Sequence, residues 1–481
     1  HYDNPDLRVL IGEWSKALLS PCELYQEAHQ FLLDSFSVKS LEAFGLGSFP
    51  FAAQAAAVLM RYLQETQKET LHHINRIKVQ HWDQWMPLDE ASIRNLELFK
   101  TLRGEEQMGT LLSVLDQTET AMGARCLRRW LVQPLLAKRA IEARHNAVAE
   151  LIQENDHRHK FIEELKHLLD LERILGRLSS GSGNARDLQA LSQSLKRIPI
   201  IKSTLRDLES PLLKSIEREL MPLEKLTDII DTAIVDEPPM KLREGAMIRR
   251  GFHAELDELH ALMSEGKTAL KNIEAEERKA TGIDSLKVGF NKVFGYYIEV
   301  TKTHHDKVPE RYIRKQTLVN AERYITPELK EYEEKVLGAE ERVKELEYKL
   351  FLDLREQTLR HVTTIKKNAQ NCAQLDVLLS FAQTAIQKNY TQPSMNTKGE
   401  LAIVDGRHPV VENMNPEQSF IPNDTHFEAN VMELALITGP NMSGKSTYLR
   451  QVALIALMAQ IGSFVSAKEA QLPVFDRISR E

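Results

Sequence analysis

The sequence has few cysteines and lacks any apolar segment long enough to cross a membrane. Cys22, Cys126 and Cys372 lie far apart and form neither a CxxC pair nor a zinc-ligand spacing, which predicts buried thiols in a reducing, intracellular setting. The most apolar stretch, residues 452–461, is far shorter than the roughly 20 residues of a membrane-spanning helix. The sequence therefore argues against a disulfide-stabilised secreted protein and against a membrane protein.

The chain also has no overall excess of positive charge. Its 62 Lys and Arg residues are outnumbered by 69 Asp and Glu residues, for a formal net charge of -7. Any surface that binds nucleic acid must therefore be local. The length of 481 residues predicts several domains. No secretory signal is visible, and the first residue is His1 instead of Met, so we expect a piece of a longer protein.

Proline is absent between Pro239 and Pro309 and between Pro327 and Pro393. Because proline interrupts helix interiors, the second interval predicts one very long helix or a closely joined pair. Apolar residues in both intervals recur at alternating steps of four and three on otherwise charged segments, which is typical of a two-helix coiled coil. The outgoing stripe is Phe252, Leu256, Leu259, Met263, Leu270 and Ile273, and the returning stripe is Tyr332, Val336, Ala339, Val343, Leu346 and Leu350.

Between the two stripes the period changes from helical to alternating. Residues 286–291 alternate apolar and polar side chains, and residues 297–300 are again typical of a strand, which predicts a small β element at the tip of the helix pair. Residues 302–323 hold six basic and three acidic side chains. Such a surplus suits contacts to a DNA backbone, although a solvated charged face is the commoner explanation. The candidate DNA-binding residues are Lys302, Lys307, Arg311, Tyr312, Arg314, Lys315, Asn320 and Arg323.

Residues 439–446 match the pattern GxxxxGK[ST] of a phosphate-binding P-loop. The apolar residues 434–437 predict a buried strand before the loop, and residues 448–461 predict the helix after it. Lys445 would reach the β and γ phosphates of a nucleotide, and Ser446 would ligate Mg²⁺. Phe420, in a loop before this region, either stacks on adenine or packs within its own loop. His408 is expected to be a structural residue of a turn.

Hydrolysis of a nucleotide also needs acidic residues at the end of a second strand. The candidate segment after the P-loop is 472–476, where Pro473 argues against a central strand and Arg477 stands where an acid is expected. We assign no catalytic residue from the sequence, and we do not expect this chain alone to hydrolyse ATP.

Several segments resemble the MutS family of mismatch-repair ATPases, and the resemblance is to the bacterial type. Residues 438–451 resemble the family's P-loop, in which the Pro-Asn-Met insert is far more specific than the general pattern. Residues 123–131 and 181–188 resemble its helical core, and residues 295–300 with 320–324 resemble its clamp. The resemblance implies that ATP or ADP with Mg²⁺ is held by Phe420, Gly439, Pro440, Asn441, Met442, Ser443, Gly444, Lys445, Ser446 and Thr447.

The implied fold is multidomain and mainly α: a helical core, long lever helices, an inserted small β clamp, and a partial C-terminal α/β P-loop ATPase domain of ABC type. We expect a partial connector domain at 1–48, the core with the outgoing lever helix at 49–281 and the clamp at 282–330. The returning lever helix is expected at 331–390 and the truncated ATPase domain at 391–481.

The resemblance implies a DNA-dependent ATPase, active in the full-length protein, that recognises and clamps double-stranded DNA with mismatches or small loops. It further implies a homodimer, a MutL-type repair partner, no membrane association and a cytoplasmic, nucleoid-associated location. The family's mismatch-reading Gly-x-Phe-Tyr-Glu element has no match, and Phe161 in a similar outline is expected to be a helix residue. The family's Walker B acids, signature loop and switch histidine are also missing from the sequence.

Two alternatives stay open at this point. One is a MutS paralogue that lacks mismatch reading and binds branched DNA, which the clamp does not exclude. The other is a chromosome-tethering coiled-coil ATPase, although there the P-loop normally precedes the coil.

Overall fold

The structure is a computed structural model that forms two compact units, residues 1–84 and 85–481. It describes residues 28–36, 38, 40–44, 46, 48–67, 74, 77, 79, 84–102, 104, 108–291, 295–414, 420–428, 431–440 and 443–479. Cys22 and two of the predicted nucleotide-binding residues, Asn441 and Met442, lie outside this part. Cys126 and Cys372 are buried free thiols, as the sequence predicts.

The first unit contains helices α1 (Ala28–Phe36) and α2 (Pro50–Gln67), with a short 3₁₀ helix, Leu41–Phe44, between them. Leu32, Leu41 and Ala57 are fully buried or nearly so in a small core of its own. Helix α2 therefore lies in the same compact unit as α1.

The second unit begins with a helical core that surrounds Phe161, Phe351 and Phe381, which are all fully buried. Phe161 is confirmed as a packing residue inside a helix. The helices of this core are α3 (Glu90–Asn95), α4 (Leu111–Leu115), α5 (Ala121–Val132), α6 (Lys138–Gln153), α7 (Asn155–Lys166), α8 (Leu171–Ser179), α9 (Ala185–Leu195), α10 (Ile198–Leu205), α11 (Pro211–Glu219) and α12 (Glu224–Ala233).

The predicted lever helices are confirmed as α13 (Ala254–Thr281) and α14 (Pro327–Leu359), which pack against each other. At 1.5 Å per residue they are about 42 and 50 Å long. Helix α15 (Val362–Lys388) follows α14 after a short break, so the proline-free interval holds a closely joined pair. Helix α14 begins with Thr326 as its cap and Pro327 in its first turn, both of which favour helix initiation.

Helix α15 is buried in the core and is tied to the residues just before helix α5. The carboxylate of Asp376 accepts hydrogen bonds from the backbone N–H groups of Glu119 (3.0 Å) and Thr120 (2.9 Å) and from the Thr120 hydroxyl (2.6 Å). The Thr120 hydroxyl in turn caps α5 by accepting from the Gly123 N–H (2.9 Å). Burial raises the pKa of Asp376 to about 6. These hydrogen bonds therefore fix α15, the helix that follows lever helix α14, to the start of α5.

The predicted β element between the levers is a four-stranded antiparallel sheet, which we call the clamp. It consists of β1 (Lys287–Asn291), β2 (Gly295–Thr301), β3 (Ile313–Thr317) and β4 (Ala321–Ile325), in the order β1-β2-β4-β3. Ile298, Val300 and Tyr324 pack with Leu270 of α13 and Val336 of α14 in one apolar cluster. The clamp therefore sits at the shared end of the two lever helices.

The last part of the second unit is a mixed sheet with helices. Its strands are β5 (Ser394–Asn396), β6 (Leu401–Gly406), β7 (Asn423–Phe427) and β8 (Glu469–Pro473), and its helices are α16 (Pro409–Met414) and α17 (Lys445–Ile461). The strand order is β5-β8-β6-β7. Within the described ranges, no helix is both long and apolar enough to span a membrane.

Two strand predictions in this part are wrong. Residues 434–437 form no strand, because none of the strands β5 to β8 pairs with them. The side chains of Leu434 and Leu436 are 87% and 89% exposed. Conversely, Pro473 does not prevent a central strand: β8 lies between β5 and β6. Proline is tolerated there because β6 pairs only with residues 469–471 of β8, so at Pro473 one side of the strand is a free edge.

Candidate functional site

Most of the described P-loop residues, together with Phe420, lie around one cavity of about 720 Å³ where helix α17 begins. That volume is within the usual range for small-molecule sites. Of the predicted residues, the structure brings together Phe420, Gly439, Pro440, Ser443, Gly444, Lys445 and Thr447. Ser446, the predicted Mg²⁺ ligand, is exposed next to them and does not line the cavity.

The backbone at the start of α17 suits an anion. Gly444 precedes the helix with φ of +88°, a left-handed conformation that costs a residue with a side chain more than it costs glycine. Among the described residues, no side chain caps the helix there, so within this part of the chain the first-turn N–H groups have no side-chain acceptor. Such unpaired N–H groups, together with the helix dipole, attract phosphate oxygens.

Lys445 directs its ammonium group across the loop. Its Nζ donates to the carbonyl oxygen of Pro440 (2.6 Å) and to that of Gly439. In the described part of the chain, Lys445 has no acidic partner, so its positive charge is balanced only by backbone dipoles. A phosphate group would be a stronger partner than these carbonyls, because it carries a full negative charge opposite the ammonium instead of a carbonyl dipole. The cavity, the N–H groups and the ammonium together fit a nucleoside phosphate.

Sequence reasoning missed Tyr448, which also lines the cavity. Its hydroxyl is 2.9 Å from Thr425 Oγ1 and donates to the Asp424 carbonyl (3.3 Å), so the ring is held against strand β7. Val411, Ile421 and Asn423 line the cavity as well. The position of Tyr448 could have indicated its place in the site, because it lies in the first turn of the helix that follows the loop. Val411, Ile421 and Asn423 are far from the loop in sequence, and no local pattern indicates them.

His408 is confirmed as a structural residue. It is buried, and its Nδ1 accepts the backbone N–H of Val411 at 3.3 Å. Burial, and then the positive charge of Arg450, lowers the pKa of His408 to about 4. The imidazole is therefore neutral near pH 7.

Six of the eight candidate DNA-binding residues are exposed, and the other two, Tyr312 and Arg323, are not. Among the exposed residues, Lys302, Lys307 and Lys315 have no ion-pair partner within the described part of the chain, and Asn320 is uncharged. Arg311 and Arg314 are exposed but paired, Arg311 with Glu277 of α13 at 2.6 Å and Arg314 with Glu322 at 3.2 Å.

Tyr312 and Arg323 point into the clamp instead of away from it. The Tyr312 ring is buried, and its hydroxyl donates to Glu277 Oε2 at 2.9 Å, while burial raises the pKa of this phenol. Arg323 bonds Glu299 Oε2 at 3.0 Å, and its guanidinium lies 4.1 Å from the centre of the Tyr297 ring. The sequence identifies residue types suited to phosphate contacts but not the direction of each side chain.

Comparison with known families identifies this arrangement. A model described as MutS domain III matches residues 91–382, which include the helical core, the levers and the clamp. The chain belongs to the MutS family. A second model, MutS domain V, matches residues 435–480, which begin just before the P-loop.

Relatives within the MutS family cover nearly the whole chain. The proteins named DNA mismatch repair protein MutS from Halothermothrix orenii and Myxococcus xanthus are each 50% identical to it, over 95% and 93% of the chain. A protein of the same name from Salinibacter ruber is 47% identical over 94%. The matched regions are 51%, 50% and 50% of these relatives, so the chain spans about half the length of the curated relatives it matches.

Proposed function

We propose that this chain is the central part of an ATP-dependent sensor of mismatched double-stranded DNA. The observation that carries the proposal is that one MutS-family chain combines a cavity lined by P-loop residues with the small sheet at the end of α13 and α14, and that α14 and α15 lie between the two. Its relatives at about 50% identity are named DNA mismatch repair proteins. Mismatches and small loops in duplex DNA are the proposed targets.

The proposed ligand of the cavity is ATP or ADP. The N–H groups at the start of α17 and the Lys445 ammonium would hold the phosphates, and Phe420 would stack on the base. Mg²⁺ bound through Ser446 would neutralise phosphate charge when present. We propose that a homodimer partner completes each nucleotide site. The full-length protein is then a DNA-dependent ATPase, and we assign no hydrolytic acid to the described residues of this chain.

The proposed role of the clamp is to hold the DNA backbone through Lys302, Lys307, Lys315 and Asn320. Arg311 and Arg314 would join them by exchanging carboxylate partners for phosphates. The pair α13 and α14 would carry the effect of ATP from the P-loop region to the clamp. We further propose a MutL-type repair partner and a cytoplasmic, nucleoid-associated location, since mismatched chromosomal DNA is the target.

The mismatch proposal is tested by equilibrium titration of the full-length protein with three labelled DNAs: a duplex with one G·T mismatch, the matched duplex and a four-way junction. We expect the mismatched duplex to bind several-fold more tightly than the matched duplex. Equal affinity for the two duplexes with tighter binding of the junction would contradict the proposal, because it would favour a paralogue that acts on branched DNA.

The backbone-grip role of the clamp is tested by the triple variant Lys302→Ala, Lys307→Ala and Lys315→Ala. If each lysine neutralises one phosphate, the slope of log K against log[salt] should fall by about 0.9 per lysine lost, that is by roughly 2.7. Affinity should fall similarly for matched and mismatched duplexes. The measurement is a DNA titration at four salt concentrations.

A matched control removes three exposed lysines of the helical core that have no ion-pair partner among the described residues, Lys160, Lys225 and Lys366. This variant should keep the wild-type slope. An unchanged slope in the clamp variant, or an equal loss in the control, would reject the backbone-grip role.

A further inference from the structure

An ion pair ties the P-loop helix to the helical core across 353 residues of sequence. Arg450 of α17 donates to Glu97 Oε2 at 2.6 Å, and the side chains of Arg450 and Glu97 are only 20% and 18% exposed. Arg450 is five residues after Lys445, about 7.5 Å along the helix axis. The contact is therefore close to the phosphate-binding end of α17 but outside the cavity lining.

Glu97 has a backbone conformation that its side chain disfavours. Its φ is +52°, in the left-handed region where glycine and asparagine are the usual residues. A glutamate there is strained, and such strain persists only where surrounding contacts hold it in place. A glutamate at this position is therefore explained by what its side chain binds, and the ion pair with Arg450 is such a contact.

The loop that carries Glu97 is held at several atoms. Its Oε1 accepts the Leu102 N–H at 2.8 Å, and its carbonyl oxygen accepts the N–H of Leu111, the first residue of α4, at 3.1 Å. The neighbouring side chains Leu96 and Leu98 are buried in the core. A displacement of Arg450 would therefore pull on α4 instead of being absorbed by a loose side chain.

Helix α4 is fixed in turn to α15. The Ser380 hydroxyl donates to the Leu115 carbonyl at 2.6 Å and accepts the Gln117 N–H at 2.7 Å. Helix α15 continues from lever helix α14 after a short break. Contiguous contacts thus run from the start of the P-loop helix through Glu97 and α4 to Ser380 of α15, the helix that follows lever helix α14.

The far end of α17 is tied to the core independently. Arg144 of α6 donates to the Ile461 carbonyl at 2.7 Å, and His145 Nε2 lies 3.0 Å from the Ala459 oxygen. Breaking the Glu97 contact should therefore detach the phosphate-binding end of α17 from the helical core, while Tyr448 still holds it to β7 and the far end stays attached.

We propose that Glu97 is a positioning residue for nucleotide-dependent DNA binding, acting through Arg450 to couple the P-loop helix to the lever helices. The inference rests on the proposed function, because it requires that ATP changes the affinity for DNA. It adds the specific contact through which that change leaves the nucleotide site.

The test uses the full-length protein and the mismatched duplex. It measures the DNA dissociation constant without nucleotide and with ATP, and the coupling ratio is the larger of the two values divided by the smaller. Glu97→Gly removes the side chain and also the backbone strain, so we expect its thermal midpoint to stay near that of the wild type. Glu97→Gln keeps an acceptor for the Leu102 N–H and loses the charge. Arg450→Gln removes the other partner.

In allosteric proteins, binding of one ligand changes the affinity for the other by roughly 5- to 150-fold. We expect the coupling ratio to fall to within about two-fold of 1 in Glu97→Gly and in Arg450→Gln, and to an intermediate value in Glu97→Gln. The double variant Glu97→Gly with Arg450→Gln should be no worse than either single variant, because both remove the same interaction. ATP affinity without DNA, by calorimetry, should change little.

The control Glu164→Gln removes an ion pair of the core, that of Arg197 with Glu164, which does not involve α17. Its coupling ratio should match the wild type. A wild-type ratio above about five that persists in Glu97→Gly and Arg450→Gln would overturn the inference alone. So would a parallel loss of ATP affinity, since Glu97 would then only shape the nucleotide site. A wild-type ratio of 1 would overturn the coupling proposal and the inference together.

Discussion

Lys445→Ala should weaken ATP binding by about 100-fold or more, because it removes a charge-assisted contact to phosphate worth roughly 3 kcal/mol. The ammonium of Lys445 has backbone carbonyls as its described partners, so it is available to a ligand at little cost. Loss of the side chain leaves the helix N–H groups as the main phosphate donors. Isothermal titration of the full-length protein with ATP measures the change.

Two comparisons make the Lys445 result specific. Lys445→Met keeps the apolar stem and should lose affinity like the alanine variant if charge is what matters. Lys468→Ala removes an exposed lysine after α17, whose Nζ is 3.9 Å from Asp405, and should bind ATP as the wild type does. ATP affinity that is unchanged in Lys445→Ala would refute the assignment of this loop as a phosphate site.

Gly123→Ala should destabilise the fold by about 3 kcal/mol or more, although alanine is the better helix former. A Cβ at Gly123 would lie 2.1 Å from Asp376 Oδ2, and real Cβ atoms do not approach so closely. Helix α5 or the carboxylate must then move, which breaks hydrogen bonds from Glu119 and Thr120 that tie α5 to α15. Urea unfolding followed by circular dichroism measures the loss.

A matched glycine serves as the control for Gly123. Gly176 lies inside helix α8, and a Cβ added there would have no neighbouring atom within 4 Å, so Gly176→Ala should be neutral or stabilising by up to about 1 kcal/mol. In an Asp376→Ala background the clash is gone, and Gly123→Ala should cost much less. Additive losses in the Gly123→Ala, Asp376→Ala double variant would contradict the steric explanation.

The levers and the clamp could be predicted from sequence because their signals are local. The absence of proline and the four-three spacing of residues such as Leu256 and Val336 define long helices without knowledge of the rest of the fold. The alternation that marks the clamp strands is likewise contained in a few residues. The P-loop pattern is local as well, since it consists of eight consecutive residues, and the phosphate-binding role that it indicates stays a prediction.

Properties that depend on distant partners could not be predicted. Residues 434–437 have the composition of a buried strand, but a strand also needs neighbours, and none of the described strands pairs with them. The burial of Tyr312 depends on Glu277 of another element. The ion pair of Glu97 and Arg450 joins residues 353 positions apart, and no local sequence pattern indicates it.

Coupling between the P-loop and the clamp is most directly tested by the affinity of the full-length protein for a mismatched duplex, measured by equilibrium titration with and without ATP at one salt concentration. We expect ATP to change the dissociation constant by at least about five-fold in the wild type and to leave it unchanged in Lys445→Ala. Equal wild-type dissociation constants with and without ATP, at saturating nucleotide, would contradict the coupling.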